Sequence, residues 1–102
     1  IPGARSDEYL VSTYICHPSM ANDNLSGMVT AVFLAMRILA GGRPRYSWRF
    51  VFAPETIGAI AYLNFNESKM VNVQGGFVVS CCGGRGPLGY KESFICDSLV
   101  DS

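Results

Sequence analysis

The chain has one histidine, one tryptophan and no net charge. It also has no apolar run of the roughly 18 to 20 residues that a membrane span requires. Eight basic and eight acidic side chains cancel, which removes the long-range field that draws a protein to nucleic acid or an anionic bilayer. Neither partner is expected. Any imidazole chemistry rests on His17 alone. The four cysteines, Cys16, Cys81, Cys82 and Cys96, form no CxxC pair and no secreted-scaffold spacing, so reduced, buried thiols in a cytoplasmic protein are expected. The first residues, Ile-Pro-Gly-Ala-Arg-Ser-Asp-Glu, lack an initiator Met and a charged-then-apolar leader pattern. They read as an internal cut from a longer chain. Charged residues are scarce as well, 16% against 49% apolar, a balance that calls for a packed core and excludes a disordered chain. At 102 residues the length suits one domain and not two.

Residues 9 to 16 are aromatic and β-branched and read as a strand that stops at His17-Pro18. A polar loop, Ser19 to Asn24, follows. Leu25 to Ala40 is apolar on nearly every side, and its length favours a heavily buried helix ended by Gly41-Gly42. A second strand is expected over Ser47–Ala53, a second helix over Thr56–Leu63 and a third strand over Gly76–Cys82. Ser93–Cys96 could begin a fourth. This order implies right-handed crossovers and a largely parallel sheet with an edge left open. Arg43, Arg45 and Arg49 read as a solvated turn rather than an anion site. The Cys82-Gly83-Gly84-Arg85-Gly86 loop reads as a turn, because it lacks the Gly-Lys-Ser/Thr ending of a phosphate-binding loop.

In an open parallel sheet, ligands gather outside the carboxyl ends of the strands, where the reactive side chains of this sequence fall. His17 follows strand one, Asp23 lies in the loop that opens helix one, and Glu55 follows strand two. Imidazole and carboxylate are zinc ligand types, and an unligated carboxylate nearby can take a proton from water. His17 and Asp23 are the candidate ligands and Glu55 the candidate base. Each has a plainer reading. Asp23 or Asn24 could merely cap helix one, Glu55 could cap helix two, and His17 could be hydrogen-bonded structure. Cys16, Cys81 and Cys82 could join His17 in a thiolate site, although core filling explains cysteines at strand ends more simply. Adjacent residues of an extended chain face opposite ways, which argues against a nucleophilic Cys16-His17 pair, since the imidazole would not reach the thiol.

The stretch Cys16-His17-Pro18-Ser19-Met20-Ala21-Asn22-Asp23-Asn24-Leu25-Ser26-Gly27 resembles the metal-binding loop of the M28-type zinc aminopeptidases. There, a His after a strand precedes an Asp-Asn-x-Ser-Gly element. Phe50 to Gly58 resembles that family's strand ending in a Glu-Glu-x-x-Gly-like turn. The closer resemblance is to the bacterial aminopeptidase-like DUF4910 group, through the first motif, Pro54-Glu55-Thr56-Ile57-Gly58, and the segment from Gly75 to Lys91.

The resemblance implies a three-layer αβα, mostly parallel, zinc-exopeptidase-like fold. Residues 1–102 would be its truncated N-terminal part of the catalytic core. It also implies that His17 matches the first zinc ligand, that Asp23 matches the carboxylate bridging two zincs in dinuclear members, and that Glu55 matches the general base. The sequence departs from the family's pattern. Ser19 stands where an Asp would support the His, Thr56 where a second Glu would bind another zinc, and no carboxylate lies in Ser80–Gly84. A catalytic zinc takes three protein ligands plus water, and here two are in hand, so one incomplete zinc site is expected. The fragment alone is then inactive and depends on the rest of the parent chain. The function implied is hydrolysis of a peptide or small amide bond, with a non-peptide amide in play because relatives resemble parts of surface-polysaccharide gene sets. The rival readings are a metal-free pseudo-peptidase kept for binding or domain contacts, and an α/β binding module for a small ligand.

Overall fold

The structure, a computed structural model, describes residues 1–101. Strand β1 (Glu8–Ile15) leads to helix α1 (Leu25–Ala40), strand β2 (Ser47–Pro54), helix α2 (Ile57–Asn66), a 3-10 segment (Glu67–Asn72) and strand β3 (Val73–Val78). The sheet order is β2-β1-β3, with both pairings parallel. The fold is thus a small α/β unit with β1 at its centre. Val11 and Thr13 of β1 are 1% exposed, because a central strand is covered along both edges and α1 packs against it.

Helix α1 has the predicted bounds. Leu, Ala and Met favour the helix, and Gly41 closes it through N–H bonds to the carbonyls of Arg37 (3.2 Å) and Ile38 (3.3 Å). Gly42 then takes φ +85°, the left-handed turn that a side chain would resist. The expected heavy burial of α1 is corrected. Only Gly27 and Ala31 are buried, while Phe33, Met36 and Leu39 are 62%, 56% and 60% exposed. A three-stranded sheet offers one stripe of contact, and the remaining apolar faces of the helix point outward.

Strand β3 starts earlier than expected and ends at Val78, since Gly75-Gly76 lies inside the ladder. A Cβ on Gly76 would come within 2.8 Å of the Leu10 carbonyl, so this glycine permits the close approach of β3 to β1. Residues 93–96 form no fourth strand, and the chain bends at 94–96. The segment is held instead by Asp101, which accepts bonds from the Ser93 amide (2.8 Å) and the Ser98 amide (3.1 Å). Arg49 does not sit in a solvated turn. It lies within β2, paired with Glu8 and donating to the Tyr62 hydroxyl of α2 at 2.9 Å. No helix among the described residues is long and apolar enough to cross a membrane.

Candidate active site

Parallel register puts the candidate residues on one rim. Tyr14 pairs with Ala53 and Ile15 with Pro54, so Glu55 emerges level with Cys16. On the other flank Ser12 pairs with Val78, which brings Cys81 level with Ile15. The loop from His17 to Asn24 folds over this end of the sheet.

Asn24 anchors that loop. Its side chain is fully buried and bridges three parts of the fold. Nδ2 donates to the Thr13 hydroxyl (2.8 Å) and the Tyr14 carbonyl (2.9 Å), and Oδ1 accepts from the Cys81 amide (3.0 Å). A buried amide with its donors and acceptor satisfied fixes geometry firmly. The capping alternative is therefore overturned for Asn24, whose side chain makes no cap bond to α1. Gly27 explains the end of the motif. A Cβ there would collide with the Asn24 side chain and come within 2.6 Å of the Val79 carbonyl. The second polar anchor is Asn22, whose Oδ1 accepts from the Gly83 amide at 2.7 Å.

His17 and Asp23 come together above this anchor. His17 Nε2 lies 3.6 Å from Asp23 Oδ2, with both side chains about half exposed. His17 Nδ1 is 2.7 Å from the Pro18 carbonyl, which can only accept, so Nδ1 carries the proton and a neutral ring turns the Nε2 lone pair toward Asp23. The other Asp23 oxygen, Oδ1, accepts from the Tyr14 hydroxyl at 2.8 Å. Chiefly that bond, and then His17, holds the Asp23 carboxyl below its usual range against some desolvation. The reciprocal bond, with help from Cys81, pushes the Tyr14 phenol well up, so it remains a donor at neutral pH. His17 is pushed up by the Pro18 carbonyl first, then by Asp23 and Glu55, against desolvation.

Glu55 stands at the same rim and contributes its charge to His17, although among the described residues no hydrogen bond joins it to His17 or Asp23. The capping alternative fails for Glu55 as well, because α2 begins at Ile57 with Thr56 as the residue before it. Thr56 takes φ +54°, unusual for a β-branched residue. Ser19 and Cys81 also have positive φ, at 59° and 52°, so three such residues border one rim, the kind of site where backbone strain gathers. Beside Glu55, Thr56 and Tyr14, a groove of about 410 Å³ opens between β1, β2 and α2, walled by Val51, Leu63 and Val78.

The thiols differ from expectation. Cys81 and Cys96 are exposed, and Cys16 and Cys82 only half-buried. Cys16 and His17 do not face opposite ways, because β1 ends at Ile15 and the chain bends there. The Sγ of Cys16, a His17 ring nitrogen and an Asp23 oxygen all lie within 4.8 Å of one another. Donors joined to one zinc at roughly 2.0 to 2.1 Å in a tetrahedron stand about 3.3 Å apart, so the 3.6 Å between His17 and Asp23 suits a shared ion. Imidazole, carboxylate and thiolate are donor types that zinc accepts.

The DUF4910 family model, described as a domain of unknown function, matches residues 1–102. The chain belongs to the DUF4910 family. A Clostridium acetobutylicum relative described as "Putative polysaccharide biosynthesis protein with aminopeptidase-like domain" is 46% identical over 101 residues, covering 99% of this DUF4910 chain and 23% of that protein. A crystal structure of a "putative peptidase" from Clostridium acetobutylicum superposes with a TM-score of 0.92 at 46% identity, over 99% of this chain and 24% of that one. The chain thus spans about a quarter of the length of the relatives it matches.

Residue-by-residue reading missed Tyr14 and Asn24 as organisers of the site. For Tyr14 a signal existed, since a tyrosine near the carboxyl end of a strand, next to the ligand rim, has a hydroxyl to place. Asn24 was visible only as a polar residue before a helix, which is also how a cap looks.

Proposed function

We propose that this DUF4910 segment is the N-terminal part of the catalytic core of a zinc-dependent aminopeptidase-like hydrolase, which the rest of the parent chain completes. His17 and Asp23 hold the metal, and Glu55 is the general base. A bound zinc would supply polarisation of the amide carbonyl and acidify water. The chain's own residues do the rest. Tyr14 fixes the Asp23 carboxylate through Oδ1, the Pro18 carbonyl fixes the ring of His17, and Glu55 accepts the proton of the attacking water and returns it to the leaving amine. The groove beside Glu55 receives the apolar part of the substrate.

The observation that carries this reading is the facing pair, His17 Nε2 and Asp23 Oδ2 at 3.6 Å, with the remaining ring nitrogen tied to a backbone carbonyl. Outer hydrogen bonds of that type orient metal-bound histidines. A three-layer αβα arrangement of the zinc-exopeptidase kind goes with it. Ala59, Tyr62 and Leu63 of α2 line one groove with Leu10 and Ser12, while the alternate residue Thr13 bonds Asn24 at the start of α1, which supports helices on both faces. The substrate is a peptide or a small amide. The Clostridium relative's description, joining polysaccharide biosynthesis to the aminopeptidase-like domain, favours keeping the non-peptide amide in view. A cytoplasmic setting is part of the proposal, since all four cysteines are free thiols and two are exposed.

The test is zinc content and amide hydrolysis in the full-length parent. His17→Ala should lose the metal. Glu55→Gln should keep the metal and lose turnover. Unchanged metal content in His17→Ala would sink the reading and favour a metal-free pseudo-peptidase.

A further inference from the structure

We infer that Cys16 is a third ligand beside His17 and Asp23, so that this segment carries a thiolate-containing metal site of its own. The inference rests on the metal reading above and adds to it a donor outside the His, Asp and Glu set of the M28-type resemblance. Its Sγ belongs to the cluster whose ligand atoms all lie within 4.8 Å, and it stands 3.9 Å from Asp23 Oδ1. The end of β1 at Ile15 makes this possible, because beyond it Cys16 and His17 no longer alternate across a sheet. No carboxylate occurs at Ser80–Gly84, and the chain's one histidine is already used. Within this segment Cys16 thus offers a third donor to a metal that takes three protein ligands and keeps an open position.

Cys81 is the other thiol at this rim. Its Sγ lies 3.8 Å from the same Asp23 oxygen but also 3.7 Å from the Tyr14 hydroxyl, with the phenol rather than the imidazole as its neighbour. On binding, the Cys16 S–H bond breaks, an S–metal bond forms, and the proton passes to solvent. A thiolate with imidazole and carboxylate selects zinc, cobalt or cadmium over magnesium and calcium.

The experiment uses the full-length parent chain loaded with cobalt(II) or cadmium, with zinc affinity measured by competition against a chelator. The wild type should have a near-ultraviolet sulfur-to-cobalt charge-transfer band and a cadmium NMR resonance shifted downfield by thiolate. Cys16→Ser and Cys16→Ala should lose the band and weaken zinc by more than the roughly 10- to 100-fold that loss of an outer-shell partner costs. Cys81→Ser should keep both. A band that persists without Cys16, or a wild type that binds metal with no sulfur signature, overturns the inference and leaves the hydrolase reading standing. A wild type that binds none of these metals overturns both. A cadmium spectrum of the unsubstituted protein with no thiolate shift overturns the inference even where a variant fails to fold, and retention of the signature in Cys81→Ser supports it.

Discussion

At the scale of single residues, Tyr14 and Asn24 do separate jobs. Tyr14 holds one oxygen of Asp23 and leaves the other facing His17. Tyr14→Phe should leave the fold intact, let the Asp23 carboxyl rise toward its ordinary value, and weaken zinc binding by roughly 10- to 100-fold, as loss of outer-shell support does. Chelator competition on the full-length protein checks the affinity, and a carboxylate NMR titration checks the direction of the shift. Asn24 acts on stability. Asn24→Ala strands the buried Thr13 hydroxyl and removes the acceptor for the Cys81 amide. With about 1 to 3 kcal/mol for each of these two groups left unpaired, the loss should be roughly 2 to 6 kcal/mol in a urea titration. Asn24→Asp should also destabilise, because the Tyr14 carbonyl would then face an acceptor.

At the scale of elements, Gly27 and the segment closed by Asp101 make opposite demands on intuition. Gly27→Ala replaces a poor helix former by the best, worth about 1 kcal/mol in an exposed helix. Here the added methyl meets the Asn24 side chain and the Val79 carbonyl, so the variant should instead lose roughly 1 to 3 kcal/mol, the usual cost of overpacking. An unchanged or raised melting temperature would refute this. Asp101 is held well below the usual carboxylate range by Ser93 and Ser98, with Tyr90 contributing a smaller share. A lowered folded value means the stabilisation is complete above the ordinary carboxylate value near pH 4. It fades as pH falls toward the folded one. Amide exchange at Ser93 and Ser98 should therefore be slower in wild type than in Asp101→Asn at neutral pH. The difference should shrink below about pH 4.

The same scale explains what could be read from sequence. Leu25–Ala40 was legible to the residue because Gly41-Gly42 follows a long apolar run. The three parallel strands and the rim they share were legible from strand ends at His17 and Pro54. The start of β3 was not, since Gly75-Gly76 looks like a turn until a neighbouring backbone is found close against it. The approach of Cys16 to His17 was offered by the sequence as a thiolate alternative but set below core filling, for a related reason. Alternation holds only while the strand lasts, and one residue decides where it ends.

At the scale of the whole molecule, the buried apolar core is small, with Val11 and Ala31 its fully covered members among the described residues. Much of α1 and α2 offers large apolar side chains to solvent, Phe33, Met36, Ile57 and Phe65 among them. Exposed apolar patches of this kind promote association. The isolated 102-residue chain should bind a hydrophobic dye and self-associate in sedimentation runs. Replacing Phe33, Met36 and Leu39 by Gln should reduce both, and a monodisperse chain that ignores the dye would contradict the surface described above.

The order β2-β1-β3 carries one more consequence. The strand that delivers Tyr14, Cys16 and His17 is the middle one. Among the described residues no further strand borders β2 or β3, and the outer side of β2 is paired through its backbone at Trp48, with Ile1. Neighbouring chain can widen the platform on the left or the right by ordinary backbone pairing, and neither addition needs to disturb the loop tied down at its centre. Evolution could thus remodel the outskirts of such a protein, and with them the choice of substrate, while its reactive middle stayed as it was.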